Sequence, residues 1–118
     1  MKLSKRLGVI ILTLGIFASL TGCSKASDCN GTYYNTSDKE SYIEVSGAAE
    51  TSDGGAAGYC LVHKVSGINS RYHDMKLAFT ASKDSVKIQS PDNVNLYWTG
   101  KYDSDNYIIT FNGTNYKK

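Results

Sequence analysis

The second half of the chain places apolar side chains at every second position in short segments, and polar stretches separate these segments. The segments are 86–89, 94–99 and 107–111. An apolar period of two is typical of a half-buried β-strand. Asn112-Gly113, directly after the third segment, is a dipeptide typical of a two-residue hairpin. The pattern therefore predicts antiparallel strands that are joined in the order of the sequence.

The remaining strands carry the same signal less regularly. They are predicted at 32–35, 41–46, 59–65, 75–79 and 114–117. A helical turn is expected near 69–74, and 47–58 is predicted as a long flexible connection because it is rich in Gly, Ala and Ser. Seven or eight short strands in this order predict an all-β antiparallel meander that closes into a small barrel or sandwich. The spacing does not decide between these two architectures.

The same alternation predicts which side chains face the core. They are Ile43, Val45, Leu61, Leu77, Phe79, Val86, Ile88, Leu96, Trp98, Ile109 and Phe111. The rings of Phe79, Trp98 and Phe111 are large enough to fill an interior of this size.

The first 23 residues follow the order of an export signal. Lys2, Lys5 and Arg6 come before a run from Leu7 to Leu20 that carries no charge, and the run leads into Thr21-Gly22-Cys23. A positive start, an apolar middle and small residues at the end are typical of a secretory signal. The run is shorter than the roughly 20 residues that a helix needs to span the hydrocarbon of a membrane, so a permanent span is the weaker interpretation.

Residues 20–23, Leu-Thr-Gly-Cys, resemble the lipobox of bacterial lipoprotein signal peptides. In that family the cysteine thiol takes a diacylglyceryl group, and cleavage then leaves the cysteine as the first residue. For this chain the resemblance implies a cleaved signal helix over 1–22, a lipidated Cys23 with a short tether over 23–28, and a single domain over 29–118. It also implies attachment to membrane lipid on the extracytoplasmic side, since two acyl chains hold a protein stably.

Two cysteines remain beyond the lipobox, and both would meet an oxidising compartment after export. Cys29 and Cys60 are therefore a candidate disulfide. It would close a loop of about 30 residues and stabilise the domain by about 3 kcal/mol. Two free, partly buried thiols are the alternative, because spacing alone does not bring two Cβ atoms within bonding reach.

The charge of the chain argues against a nucleic-acid partner. The chain has 13 basic and 11 acidic residues, and three of the basic ones lie in the export signal. The domain itself is therefore close to neutral, with both signs interspersed. A nucleic-acid-binding domain would carry a basic stripe instead.

No catalytic or metal-binding spacing is found in the sequence. His63 and His73 do not form a metal-ligand motif, and no Gly-x-Ser-x-Gly elbow accompanies them. Asp103 and Asp105 are predicted as turn residues rather than as a pair of catalytic carboxylates. The chain is therefore predicted to be no enzyme and to need neither a metal nor a cofactor.

Tyrosine is the remaining candidate for function, and all nine tyrosines lie beyond the export signal. Tyr97 alternates with inward-facing neighbours, and Tyr34, Tyr42 and Tyr102 are predicted to share its outer face. Exposed tyrosines anchor partners, because the ring brings contact area and a polar tip. The alternative is that these rings are ordinary half-buried strand surface.

The function predicted from these features is a non-enzymatic binding module for a protein or peptide, similar to immunity, inhibitor or exclusion lipoproteins. A lipocalin-like carrier of a small apolar ligand is the alternative, although the large core rings argue against it. A small envelope hydrolase is the third possibility. The sequence identifies neither the partner nor the oligomeric state.

Overall fold

The computed structural model describes residues 25–82 and 84–118, which form a closed eight-stranded antiparallel barrel. The strands are β1 (Gly31–Asn35), β2 (Tyr42–Glu50), β3 (Ala56–His63), β4 (Leu77–Ala81), β5 (Ser85–Gln89), β6 (Tyr97–Asp103), β7 (Ile108–Phe111) and β8 (Thr114–Lys117). Each strand pairs with the next, and β1 closes the barrel against β8 through Tyr34 opposite Lys117. The all-β prediction is confirmed, and the architecture is a barrel rather than a sandwich.

The predicted signal helix over 1–22 and Cys23 lie outside the described residues. Ala26–Cys29 form a 3-10 turn that precedes β1 and contributes Cys29 to the core. The backbone N–H of Ala48 donates to Oδ1 of Asn30 at 3.0 Å, which ties this segment to β2. Part of the predicted tether is therefore packed against the barrel. In 25–82 and 84–118, no helix has the length and apolar character needed to cross a membrane.

Large side chains fill the barrel interior. The predicted core is confirmed at every position except Leu61, Leu96 and Trp98, which are half-buried. Four tyrosines that were not predicted inside, Tyr33, Tyr72, Tyr102 and Tyr116, are buried as well. The expected helical turn lies at Ser70–Tyr72, where the Tyr72 ring packs edge-on against Trp98.

The hairpin of β2 and β3 is longer than predicted. Most of the segment expected to be a flexible connection is strand, and only five residues, 51–55, join Glu50 to Ala56. A bulge interrupts the register of β2 between Ser46 and Ala49. Gly58 lies beneath this bulge, where a Cβ atom would meet backbone at 2.7 Å. Small side chains are what allow the two strands to come this close.

The predicted disulfide between Cys29 and Cys60 is wrong, because Cys60 is a free thiol. Cys60 lies on β3 between Val45 of β2 and Leu77 of β4, and its side chain is buried. The strand register directs Cys60 into the apolar core, which the spacing of cysteines in the sequence does not reveal. Burial raises the pKa of the Cys60 thiol to about 12, so the group is protonated and a poor nucleophile at neutral pH.

The hairpin turn between β7 and β8 has the predicted conformation, with φ of 51° at Asn112 and 77° at Gly113. We expect Gly113→Ala to lower the free energy of unfolding by about 1 kcal/mol. Nothing lies within 4 Å of the added Cβ, so the strained φ is the only cost. Urea unfolding measures this difference, and an unchanged midpoint would contradict the expected left-handed conformation.

Candidate binding surface

The outer wall of the barrel carries the exposed tyrosines, because residues that alternate with core side chains face outward on each strand. Tyr34 of β1 lies opposite Tyr42 of β2, and Tyr42 lies opposite His63 of β3. The ring centroids of Tyr34 and Tyr42 are 6.0 Å apart, and those of Tyr42 and His63 are 5.1 Å apart. We name these three residues the first aromatic row.

Asp74 ends the first aromatic row. Its Oδ1 lies 2.7 Å from Nδ1 of His63, and its backbone N–H donates to the carbonyl oxygen of Val62 at 2.8 Å. Asp74 has a φ of 61°, a left-handed conformation that Asp adopts more readily than most residues. Both side chains of the pair are partly exposed to water, so the contact orients the imidazole and adds little stability.

A second set of tyrosines lies farther round the same wall. Tyr59 of β3 lies opposite Ala78 of β4, and Gln89 of β5 lies between Ala78 and Tyr97 of β6. Tyr59 is 47% exposed and Tyr97 is 50% exposed. Three strand spacings of about 4.8 Å separate the two tyrosines, a path of about 14 Å that follows the curve of the barrel wall. We name these four residues the second aromatic row.

Two lysines cover the tyrosines of the second aromatic row. Nζ of Lys76 lies 4.2 Å from the ring centroid of Tyr59, and Nζ of Lys87 lies 4.6 Å from that of Tyr97. An ammonium group over a ring face is attracted by about 0.5–1 kcal/mol at an exposed site. The lysines therefore favour one orientation of each ring and place positive charge directly beside it.

An open cleft of about 410 Å³ lies next to Lys87, between the strands and the loop that joins β2 to β3. Asp53 lines this cleft. The Thr51 hydroxyl and the Gly55 N–H donate to its carboxylate and lower its pKa, so Asp53 is charged at neutral pH. A carboxylate held in its charged form by its own loop is poorly suited to act as a general acid.

The tyrosines predicted to share one outer face do not form a single patch. Tyr34 and Tyr42 belong to the first aromatic row, and Tyr97 belongs to the second. The outward placement of Tyr102 is wrong, since this residue is only 4% exposed. Strand β6 continues without a break to Asp103, and a period of two therefore turns Tyr102 inward.

Tyr102 forms a polar contact inside the barrel. Its hydroxyl lies 3.1 Å from the hydroxyl of Tyr33, which donates to the carbonyl oxygen of Cys29 at 2.7 Å. The two rings meet edge to face with centroids 6.3 Å apart. Burial raises the pKa of both tyrosines, so both hydroxyls stay neutral. The pair is part of the core rather than of a binding surface.

Alternation along the sequence did not single out Tyr59, Lys76 or Lys87. The segment around Tyr59 has apolar residues on both faces, and the structure shows that Cys60 and Val62 are the buried ones. A prediction that Cys60 and Val62 face inward would have placed Tyr59 on the outer wall. Lys76 and Lys87 can be linked to the two tyrosines only once the strand register has placed them beside the rings.

The two histidines make local contacts. Nε2 of His73 lies 2.9 Å from the carbonyl oxygen of Ile68, and His63 contacts Asp74. Among the described residues, no three His, Cys, Asp or Glu side chains come together to hold a metal ion.

The outer wall of the barrel offers a partner aromatic contact area and charged side chains. No protein-family model, curated protein or solved structure matches this chain.

Proposed function

We propose that this chain is a lipoprotein of a bacterial cell envelope, held on the extracytoplasmic side of the membrane by lipid on Cys23. The support is the Leu-Thr-Gly-Cys sequence at 20–23, which ends an apolar run too short for a permanent span. An acylated Cys23 would be the contact of this protein with membrane lipid.

The path of the chain would fix how the barrel sits on such an anchor. In an antiparallel meander, β1 begins at the same end as the β2–β3, β4–β5 and β6–β7 connections and the C-terminus. We name this the N-terminal end. Ala26 already packs against the core, and three residues from Cys23 to Ala26 span at most about 11 Å. The N-terminal end would therefore lie close to the membrane. The aromatic rows lie toward the opposite end, where β1 ends and β2, β4 and β6 begin, so they would face away from the membrane.

The protein's role in this proposal is to bind a protein or peptide rather than to catalyse a reaction. The observation that carries it is the exposure of tyrosine rings on the wall of a filled barrel. Such rings supply contact area with little conformational entropy to lose. Tyr33, Phe79 and Tyr116 occupy the interior that a carrier of a small apolar ligand would need to leave open. The binding module is for this reason favoured over the carrier.

Cys23→Ala is expected to abolish lipid attachment, because the substitution removes the sulfur that would carry the diacylglyceryl group. Cells that express the full chain are fed an alkyne-bearing fatty acid, and incorporation into the purified protein is measured. Cys60→Ala is the matched control, since this thiol is buried in the barrel and should not affect labelling. Equal labelling of Cys23→Ala and the unchanged chain would refute the anchor.

Photo-crosslinking in intact cells tests the binding role. Benzoylphenylalanine replaces Tyr34, Tyr59 or Tyr97 in the full chain, and Asn115 on β8 is the control position on another part of the wall. We expect an adduct of defined mass with one protein or peptide from at least one of the tyrosine positions. Equal adduct patterns at all four positions, or none, would argue against a specific partner.

A further inference from the structure

The two aromatic rows differ in the charge around them. Strands β3, β4 and β5 contain no Asp or Glu in the described residues, and neither does β6 before Asp103. Lys87 and Lys101 face outward from β5 and β6, and Lys76 precedes β4. The first aromatic row ends in the carboxylate of Asp74 and has three lysines beside Tyr34, namely Lys39, Lys117 and Lys118, but in the described structure none of them lies over a ring of that row. The second aromatic row therefore differs in having an ammonium group over each of its two exposed tyrosine rings.

The side chains between the two tyrosines of the second aromatic row are less exposed than the tyrosine rings. Ala78 and Gln89 are half-buried, whereas Tyr59 and Tyr97 stand about half exposed at the two ends. An extended chain rises about 3.3 Å per residue, so a segment that follows the path of about 14 Å around the curved wall needs at least about four residues to reach both tyrosines. The row therefore has the dimensions of a short extended segment that contacts a ring at each end.

The barrel also limits how a partner can attach. Each of the eight strands pairs with two neighbours over at least part of its length, so the described barrel offers only short edges for strand addition, at residues 97–100 of β6 and 31–33 of β1. At Tyr59, Ala78 and Gln89 the strands are paired on both sides, so a partner there uses side-chain contacts. A lysine ammonium has three hydrogens to donate, so Lys76 and Lys87 can each donate a hydrogen bond to a carboxylate while remaining over the tyrosine ring.

We propose that the second aromatic row is the docking face of this protein and that its occupant is an extended, carboxylate-rich segment of another protein. This inference rests on the proposed binding function and specifies its site and partner chemistry. Apolar groups of the segment pack on Tyr59 and Tyr97, and its carboxylates pair with the lysines. Glu44 shares a groove with Lys76, and Asp53 shares the cleft beside Lys87, so a nearby carboxylate partly offsets the contribution of each lysine.

Photo-crosslinking of the full chain in cells locates the docking face and identifies its occupant. With benzoylphenylalanine at Tyr59 or Tyr97, we expect adducts on a protein segment with an excess of Asp and Glu. Adducts at Tyr34 or Asn115 alone would overturn the docking face and leave the binding function intact. Adducts on a segment without that excess, or on a phosphate-bearing polymer, would overturn the partner chemistry. Absence of adducts at every position would overturn both proposals.

Binding of a synthetic peptide that copies the crosslinked segment measures the contribution of single residues. Tyr97→Ala is expected to weaken binding about 30-fold, as is typical of a central aromatic contact. Lys87→Gln is expected to weaken binding about fivefold at low salt and less at high salt. Tyr34→Ala and Lys117→Gln are the matched controls on the rest of the wall. If the controls weaken binding as much as the first pair, the proposed face is wrong.

These variants are suited to the test because each replaces a side chain that is not buried in the core. Tyr97 is half exposed, and Lys87 reaches outward over its ring. Thermal unfolding of each variant shows whether the barrel is intact. A loss of binding in a variant with unchanged unfolding then reports on the docking face alone.

Discussion

Gly58→Ala is expected to lower the free energy of unfolding by about 3 kcal/mol or more. A Cβ atom on Gly58 would lie 2.7 Å from the carbonyl oxygen of Ser46 and 2.8 Å from the backbone nitrogen of Ala48. Both atoms belong to the bulge of β2 and cannot turn aside as a flexible side chain does. Overpacking usually costs about 1–3 kcal/mol, and here β2 must also move away from β3. A small domain has only about 5–15 kcal/mol of total stability, so this loss is large.

Gly113→Ala is the matched control for this prediction. It adds the same methyl group at a position where nothing lies within 4 Å, so it reports the cost of the backbone conformation without a clash. Urea unfolding of both variants, followed through the fluorescence of the single tryptophan, gives the two losses. Equal losses would mean that β2 does not lie as close to β3 as the bulge requires.

The meander from 86 onward was predictable because its signals are local. Alternation identifies strands β5 and β7 within a few residues, and Asn112-Gly113 fixes the turn that joins β7 to β8. Register follows from the turn in such a hairpin. The first strand after a looser connection is less well predicted: β6 begins at Tyr97, and Val94 is 74% exposed in the turn before it.

Tyr102 and the second half of β2 were not predictable in the same way. Gly100 occupies an inward position between Trp98 and Tyr102, so the alternation of β6 lost its apolar signal there. The end of β2 is built from Gly, Ala and Glu, which are weak strand formers. It is a strand because it pairs with β3 across a bulge, and that pairing depends on residues outside the segment.

The second aromatic row depends on register across four strands. Tyr59 and Tyr97 lie far apart in the sequence, and only the pairings of β4 and β5 bring them onto one line. A slip of one residue in the register of β3 or β6 would turn the tyrosine of that strand toward the core. Composition indicates that tyrosine is abundant, but it does not indicate which rings lie together.

Three buried groups are expected to make the barrel sensitive to alkali. Burial raises the pKa of Cys60 from its ordinary value of 9.0 to about 12. Burial also raises the pKa of Tyr33 and Tyr102 above the ordinary value of 10.0, and the Tyr102 hydroxyl adds to the rise at Tyr33. Between these values the folded barrel keeps protons that the unfolded chain has already lost.

Because the unfolded chain loses its protons at lower pH than the folded barrel, a rise in pH lowers the free energy of unfolding. Below about pH 9 the three groups are neutral in both states, and their contribution to stability is fully present. At higher pH the unfolded chain binds fewer protons, so each group lowers the free energy of unfolding by about 1.4 kcal/mol per pH unit. Cys60 acts from about pH 9, and Tyr33 and Tyr102 make the slope steeper from about pH 10.

A barrel with an ordinary stability of about 5–15 kcal/mol is expected to lose several kcal/mol of it before pH 12. Urea unfolding at pH 8, 9, 10 and 11 measures the slope, and Cys60→Ala tests its first part. Between pH 8 and 10 the unchanged chain should lose about 1.4 kcal/mol through Cys60, whereas the variant should lose nothing through residue 60. Parallel curves for the two proteins would mean that Cys60 is not the buried free thiol that the register of β3 makes it.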